Sequence, residues 1–265
     1  MTGSRPVTVR ELADSGVVLT GGTSGVGLAT AHRFLAAGVT RVALLGRNEE
    51  RGVAARDAVR AQWPEATVEF VPVDANDPQQ AIRAIEQARS TIGEVDVLVN
   101  STTHTALPTL LHKLPIEEMG SILTQQALAP LHMTRAVLPV MTDQGGGSII
   151  NIASDAGKVA TPGESVIGAA MAAIVMFTRA AAMEAKRNGI RINVLTPSLI
   201  VGTPTGDRAL EGEFSSKIFS KAITLAHLGV TEADDLAGLI VFLASPAAAR
   251  LTGQAISVNG GISAA

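Results

Sequence analysis

Seven short runs rich in Val, Ile, Leu and Ala recur along this chain, at residues 16–20, 42–45, 68–73, 95–100, 148–153, 190–195 and 255–258. Between them lie longer stretches with helical spacing, at residues 25–37, 49–63, 78–91, 116–141, 166–188 and 232–244. The short runs are apolar almost throughout, which predicts strands covered on both faces. Strands of that kind alternating with helices predict a doubly wound α/β fold, a parallel sheet of seven strands joined by right-handed crossovers. The 265 residues, 46% of them hydrophobic, suit one domain with a full core, and no repeat or linker divides residues 1–265.

Composition narrows the function classes. A net charge of -3 gives no electrostatic reason to expect a nucleic acid partner. The absence of cysteine excludes disulfides and thiolate metal sites, and the scattered histidines and carboxylates show no ligand spacing, so no metal is expected. Residues 1–12 contain no apolar core of a secretory signal. The mean hydropathy of +0.30 is high. The longest apolar stretch, about residues 167–177, is too short to cross a bilayer. Buried sheet and subunit interface account for the excess, and a cytoplasmic location is the default.

Three local features stand out. The helix from Ile167 to Ala185 is apolar on nearly every face, so one side should pack on the sheet and the other on a partner. Pro130 should bend the preceding helix or open a turn in it. Residues 203–222, punctuated by Pro204 and Gly206, read as a mobile flap over a cleft.

After the first strand comes Thr20-Gly21-Gly22-Thr23-Ser24-Gly25-Val26-Gly27, which opens a helix. Gly21 permits a tight turn, while Gly25 and Gly27 let backbone approach a pyrophosphate at the helix N-terminus. Thr23, Ser24 and Val26 belong to the same cradle. The second strand ends in Gly46-Arg47 where an acidic residue would bind an adenosine ribose. A guanidinium suits a 2′-phosphate, so NADP(H) is favoured over NAD(H). Asp74, after the third strand, is placed either at the adenine or as a cap on the turn before Pro78.

With these residues in place the chain resembles a short-chain dehydrogenase/reductase over essentially its full length. Residues 20–27 match that family's T-G-x-x-x-G-x-G loop. Ile149-Ile150-Asn151-Ile152-Ala153-Ser154 resembles the strand that carries the catalytic serine, and Gly189-Ile190-Arg191-Ile192-Asn193 the sixth strand. Leu251-Thr252-Gly253-Gln254 and Asn259-Gly260-Gly261 resemble its C-terminal signature. The resemblance implies a Rossmann-like fold, a dinucleotide, a small-molecule substrate, a tetrameric assembly and a catalytic set of Asn, Ser, Tyr and Lys.

Of that set only Ser154 remains. The asparagine position is Gln126, the tyrosine position Ile167 and the lysine position Met171, and the chain contains no tyrosine at all. In the family the phenol protonates the nascent alkoxide and the lysine lowers the phenol's pKa and holds the nicotinamide ribose. General acid catalysis is typically worth about 10²–10⁴ in rate. The family's Asn-Asn-Ala-Gly turn reads Asn100-Ser101-Thr102-Thr103, which keeps Asn100 as a cofactor position but adds side chains beside it, and Pro-Gly becomes Pro197-Ser198. These losses predict that NADP(H) binding is weakened or lost.

Three roles follow. The first is a non-catalytic oxidoreductase-like subunit assembled with itself or with an active homologue. A repurposed non-redox enzyme (dehydratase, isomerase or cyclase) is the second, with Ser154, Asp155, Gln126, His104 and Glu164 as candidates and His104 as a general base. The third is a surviving NADP-dependent ketoreductase or alcohol dehydrogenase. His112 and His132 fall in helical patterns and are expected to be structural.

Overall fold

The chain order is β1 (Gly16–Thr20), α1 (Gly25–Ala36), β2 (Arg41–Gly46), α2 (Glu49–Gln62), β3 (Thr67–Pro72), α3 (Pro78–Ile92), β4 (Val97–Asn100), α4 (Ile116–Asp143), β5 (Gly147–Ile152) and α5 (Ser165–Ala185). It continues with β6 (Ile190–Pro197), β7 (Ile200–Val201), α6 (Pro204–Glu211), α7 (Glu213–Leu225), β8 (Thr231–Glu232), α8 (Ala233–Ala244) and β9 (Ala255–Val258). The structure, a computed structural model, describes residues 9–264. Most of the N-terminal segment read for a secretory signal, residues 1–8, lies outside the described residues.

The seven apolar runs pair in the order β3-β2-β1-β4-β5-β6-β9, all parallel. Their side chains alternate between two cores, as the two-residue period of a strand requires. Val18, Leu98 and Ile149 face the core shared with α3, α4 and α5. Val17, Leu19, Val97, Val99 and Ile150 face the one shared with α1, α2 and α8. Phe34 of α1 is fully buried in the second core. Phe34→Ala is expected to cost about 3–5 kcal/mol, seen as a lower urea midpoint at unchanged slope.

A buried polar chain ties the layers together. Asn100 Nδ2 donates to Asn151 Oδ1 at 2.9 Å, and Asn151 Nδ2 donates to Thr178 Oγ1 of α5 at 2.9 Å. The strand order reverses at β1 and β4, so a crevice opens beyond their C-terminal ends.

Several expectations change. No turn opens at Pro130, because α4 runs unbroken through it and through Pro139. The carbonyl of Pro130 has Asn100 Nδ2 as a partner at 3.4 Å, and Pro130 is itself buried, so packing holds the turn that the missing N–H would release. Residues 203–222 border the cavity and are largely helical, in α6 and most of α7, with Pro204 in the first turn of α6 and Thr203 Oγ1 accepting from Gly206 N at 3.1 Å. The glycines and proline read as loop signals mark helix ends instead. A short parallel pair, β7 with β8, lies beside them and had no strand-like signal.

The helix around α5 is also longer than its most apolar stretch suggested. With its 3-10 extension, Ser165–Asn188 is long and apolar enough to cross a membrane by length and composition. In this fold its inner face, including Ala170, Ile174, Val175, Thr178 and Ala182, is buried. Ala169, Ala172, Ala173, Met176, Ala180 and Met183 face outward.

Candidate active site

The crevice continues into one cavity of about 680 Å3 that runs from the end of β2 past Ser154 to α6 and α7. Its nucleotide end is built by backbone. Gly21 N donates to Leu45 O at 2.8 Å, and Gly21 adopts a positive φ of 76°. A Cβ on Gly21 would sit 2.3 Å from Ser101 O, so only glycine lets the loop lie against the turn after β4. Gly21, Thr23, Ser24, Gly25 and Val26 border the cavity. Gly27 does not: it lies beneath the loop, where a Cβ would meet Gly21 O at 2.2 Å.

These features fit a dinucleotide. Ser24 is the N-cap of α1 yet makes no side-chain capping bond, and the first turn carries no acid, which leaves the helix N-terminus suited to a phosphate. Thr20 Oγ1, in a residue that borders the cavity, is buried without a partner among the described residues. Arg47 borders the adenosine end, and so does Arg51, one turn further on, whose Nε donates to Thr23 Oγ1 at 3.2 Å. Arg51 was not singled out from the sequence, although its place in the first turn of the helix expected at residues 49–63, just after Arg47, was a usable signal. Asp74 borders the cavity and also holds its turn, accepting from Asn76 N at 3.1 Å; the cap of α3 is Asp77.

Asn100, expected at the cofactor, sits at the end of β4 just before the cavity-lining Ser101. Its amide points into the Asn151 network and the residue does not border the cavity, because an inward-facing position on a central strand is committed to packing. Ser101, Thr102, Thr103 and Ser198 do border it, and the cavity continues past them.

At the reaction end, Ser154, Asp155, Glu164, Ile167 and Met171 share one wall. Ser154 Oγ accepts from Ala156 N at 3.2 Å. Its own hydrogen has no acceptor among the described residues, so it can be given to a ligand oxygen. Ile167 and Met171 place apolar surface where the resemblance locates the phenol and the ammonium. Gln126 is buried, and its Oε1 accepts from His104 N at 3.2 Å, which pins the loop after β4. His104 Nδ1 accepts from Ala106 N at 3.2 Å. A neutral imidazole has one such lone pair, so the general-base role is already taken by backbone. His132 Nδ1 lies 3.2 Å from Ala75 O, a structural contact. His112 sits exposed on a 3-10 turn rather than in a helix.

Two carboxyl groups complete this wall. Asp155 Oδ2 accepts from Asn259 Nδ2 and from Ser263 Oγ, each at 2.6 Å. Its Oδ1 is buried with no partner among the described residues. Glu164 stands at the N-terminus of α5 without making a capping bond. Burial raises its pKa above the ordinary carboxyl value, and the charge of Asp155 adds to this, while a bond with Thr161 works against it.

A glycine-rich turn and a helix N-terminus at the strand-order reversal, with two arginines beyond β2, define a Rossmann-like α/β protein. A family model described as enoyl-(acyl carrier protein) reductase matches residues 21–263. The chain is 32% identical over 251 residues to a 2-(R)-hydroxypropyl-CoM dehydrogenase of Xanthobacter autotrophicus, covering 93% of this chain and 98% of that one. It is 32% identical over 248 residues to a 3-oxoacyl-[acyl-carrier-protein] reductase of Synechocystis, covering 92% and 95%. It is also similar to the NADPH-bound structure of a short chain oxidoreductase from Pseudomonas aeruginosa PAO1 containing an atypical catalytic center. That match has a TM-score of 0.87 and 28% identity, and it covers 96% of this chain and 99% of the other. The chain belongs to the short-chain dehydrogenase/reductase family.

Proposed function

We propose that this chain is an NADP(H)-dependent oxidoreductase that interconverts a carbonyl and an alcohol without the phenol relay of its family. One observation carries this: a single cavity joins the Arg47 and Arg51 end to a Ser154 hydroxyl whose hydrogen is uncommitted. The NADPH complex of the Pseudomonas relative with an atypical catalytic center supports it. NADPH supplies a hydride to the carbonyl carbon when bound. The loop of residues 21–26 and the α1 N-terminus hold the pyrophosphate, and the two arginines hold the 2′-phosphate. Ser154 donates to the carbonyl oxygen and orients it. Leu107, Ile167, Met171 and Phe219 exclude water and favour a substrate with an apolar body.

The test has two steps. NADPH fluorescence titrated with protein should saturate in spite of the missing lysine. A panel of ketones should then sustain loss of absorbance at 340 nm. Saturation without turnover on any ketone would count against the reductase.

A second reading is favoured by the outer face of α5, where Met176 is 61% and Met183 60% exposed beside four alanines. Here the chain is a non-catalytic member of a tetramer, built from copies of itself or with an active homologue. Light scattering on the purified chain tests self-association; a monomer that also fails to join an active homologue on mixing would remove this role.

A further inference from the structure

We propose that Glu164 is the proton donor of this site, replacing from the start of α5 the phenol that the chain lacks. This rests on the reductase reading above.

Glu164 begins the cavity-facing row of α5. Ile167 lies three residues on and Met171 seven, a spacing that keeps all three on one helix face, and all three border the cavity with Ser154. The apolar pair therefore does more than delete a phenol and an ammonium. It makes the wall beside Glu164 apolar, and desolvation by burial is the largest cause of the raised pKa of Glu164.

A hydrogen bond with Thr161 opposes this shift, and the charge of Asp155, the smallest of the three causes, adds to it. Asn259 and Ser263 both donate to one oxygen of Asp155, which orients the group. Its other oxygen is buried and unpartnered among the described residues. Two carboxyl groups thus share one wall, Asp155 fixed by its donors and Glu164 desolvated. Arg208 of α6 and Lys221 of α7 also border the cavity, but neither contributes to the shift of Glu164. His104 does not contribute either, and its Nδ1 is occupied by Ala106 N.

The step balances. The carbonyl oxygen, held by Ser154, takes the proton of the Glu164 carboxyl as the carbon receives the hydride. The C=O π bond is replaced by a C–H and an O–H bond, NADPH is oxidised, and the Glu164 carboxylate regains a proton from water. In the reverse direction the carboxylate accepts the alcohol proton. A carboxyl, even with its pKa raised, is a far stronger acid than the Ser154 hydroxyl in the same wall.

Glu164→Gln keeps the shape and removes the acid. The kcat for ketone reduction should fall about 10²–10⁴-fold, with NADPH affinity by fluorescence unchanged. Glu164→Asp should recover part of the loss. A readout independent of turnover is the carbon resonance of Glu164 in protein labelled at glutamate Cδ, assigned by its absence in the Gln variant. It should titrate above the ordinary range near about 4.3, and Asp155→Asn should move it down. Ordinary titration, or a Gln variant that turns over like wild type, overturns the assignment alone. Wild type that binds NADPH yet reduces no ketone overturns the reductase reading and this assignment together.

Discussion

Gly27→Val is expected to abolish retention of NADPH, weakening it at least about 100-fold. A Cβ at this position would lie 2.2 Å from Gly21 O, 2.8 Å from Gly21 C and 2.9 Å from Gly22 Cα. All three are backbone atoms, so no side chain can swing aside. The loop cannot yield outward either, because Gly21 already lies against Ser101 O, where its own Cβ would stand at 2.3 Å. The cradle is thus clamped between α1 and the turn after β4, and valine must separate them. Losing two or more charge-assisted bonds to phosphate at about 1.5–3 kcal/mol each accounts for the magnitude. Gly238→Ala is the control. It lies exposed on α8 with nothing within 4 Å of a Cβ, and it should stabilise by roughly 0.5–1 kcal/mol while leaving binding alone. Fluorescence titration and thermal melts on both variants would separate a lost cradle from a lost fold. Wild-type affinity in Gly27→Val would show that the pyrophosphate sits elsewhere.

Removing Arg47 and Arg51 together should discriminate between the two nicotinamide cofactors. The expected result is an NADPH Kd raised about 10–100-fold with NADH affinity unchanged, from the loss of one or two charge-assisted contacts to a 2′-phosphate. Arg51 matters in particular because Thr23 Oγ1 already holds its Nε, so less side-chain entropy is lost on binding. Paired titrations with NADPH and NADH provide the check. Equal weakening for both would assign the arginines to general attraction, and no change would return them to the role of solvated surface residues.

Glu164 also makes a prediction about stability. A carboxyl whose folded pKa is raised is more costly to ionise in the native state than in the unfolded chain. The native state therefore loses stability as pH rises from the unfolded value through the folded one. Glu164→Gln should raise Tm at neutral pH, and the difference should fade as the pH falls to the ordinary carboxyl range. A Tm difference of constant size across that window would mean that the charge of Glu164 is not buried.

What could be read from the residues alone was governed by local pattern. The strand runs are apolar on both faces, and the glycines of the cradle sit at a fixed offset from β1, so fold and nucleotide end were legible. So were the places of Ser154, Ile167 and Met171, because they lie on one strand end and one helix and need no distant partner to locate them. The partner of the Asn100 amide, Asn151 on the next strand, could not be read locally. The helices within residues 203–222 were not foreseen, because Pro and Gly stand in the first turn of a helix as readily as in loops. The acidity of Glu164 was invisible, since it depends on burial and on Asp155, which in turn depends on Asn259 and Ser263 from the far end of the sequence.

That last contact has an architectural consequence. The segment after β9 is stapled at two points to the carboxylate that follows Ser154 in sequence, so the edge of the molecule is tied to the cavity wall. An insertion or deletion between Val258 and Ser263 would leave every strand in place. It would still slacken Asp155 and retune its neighbour, making this outlying bend a dial for reactivity rather than for folding.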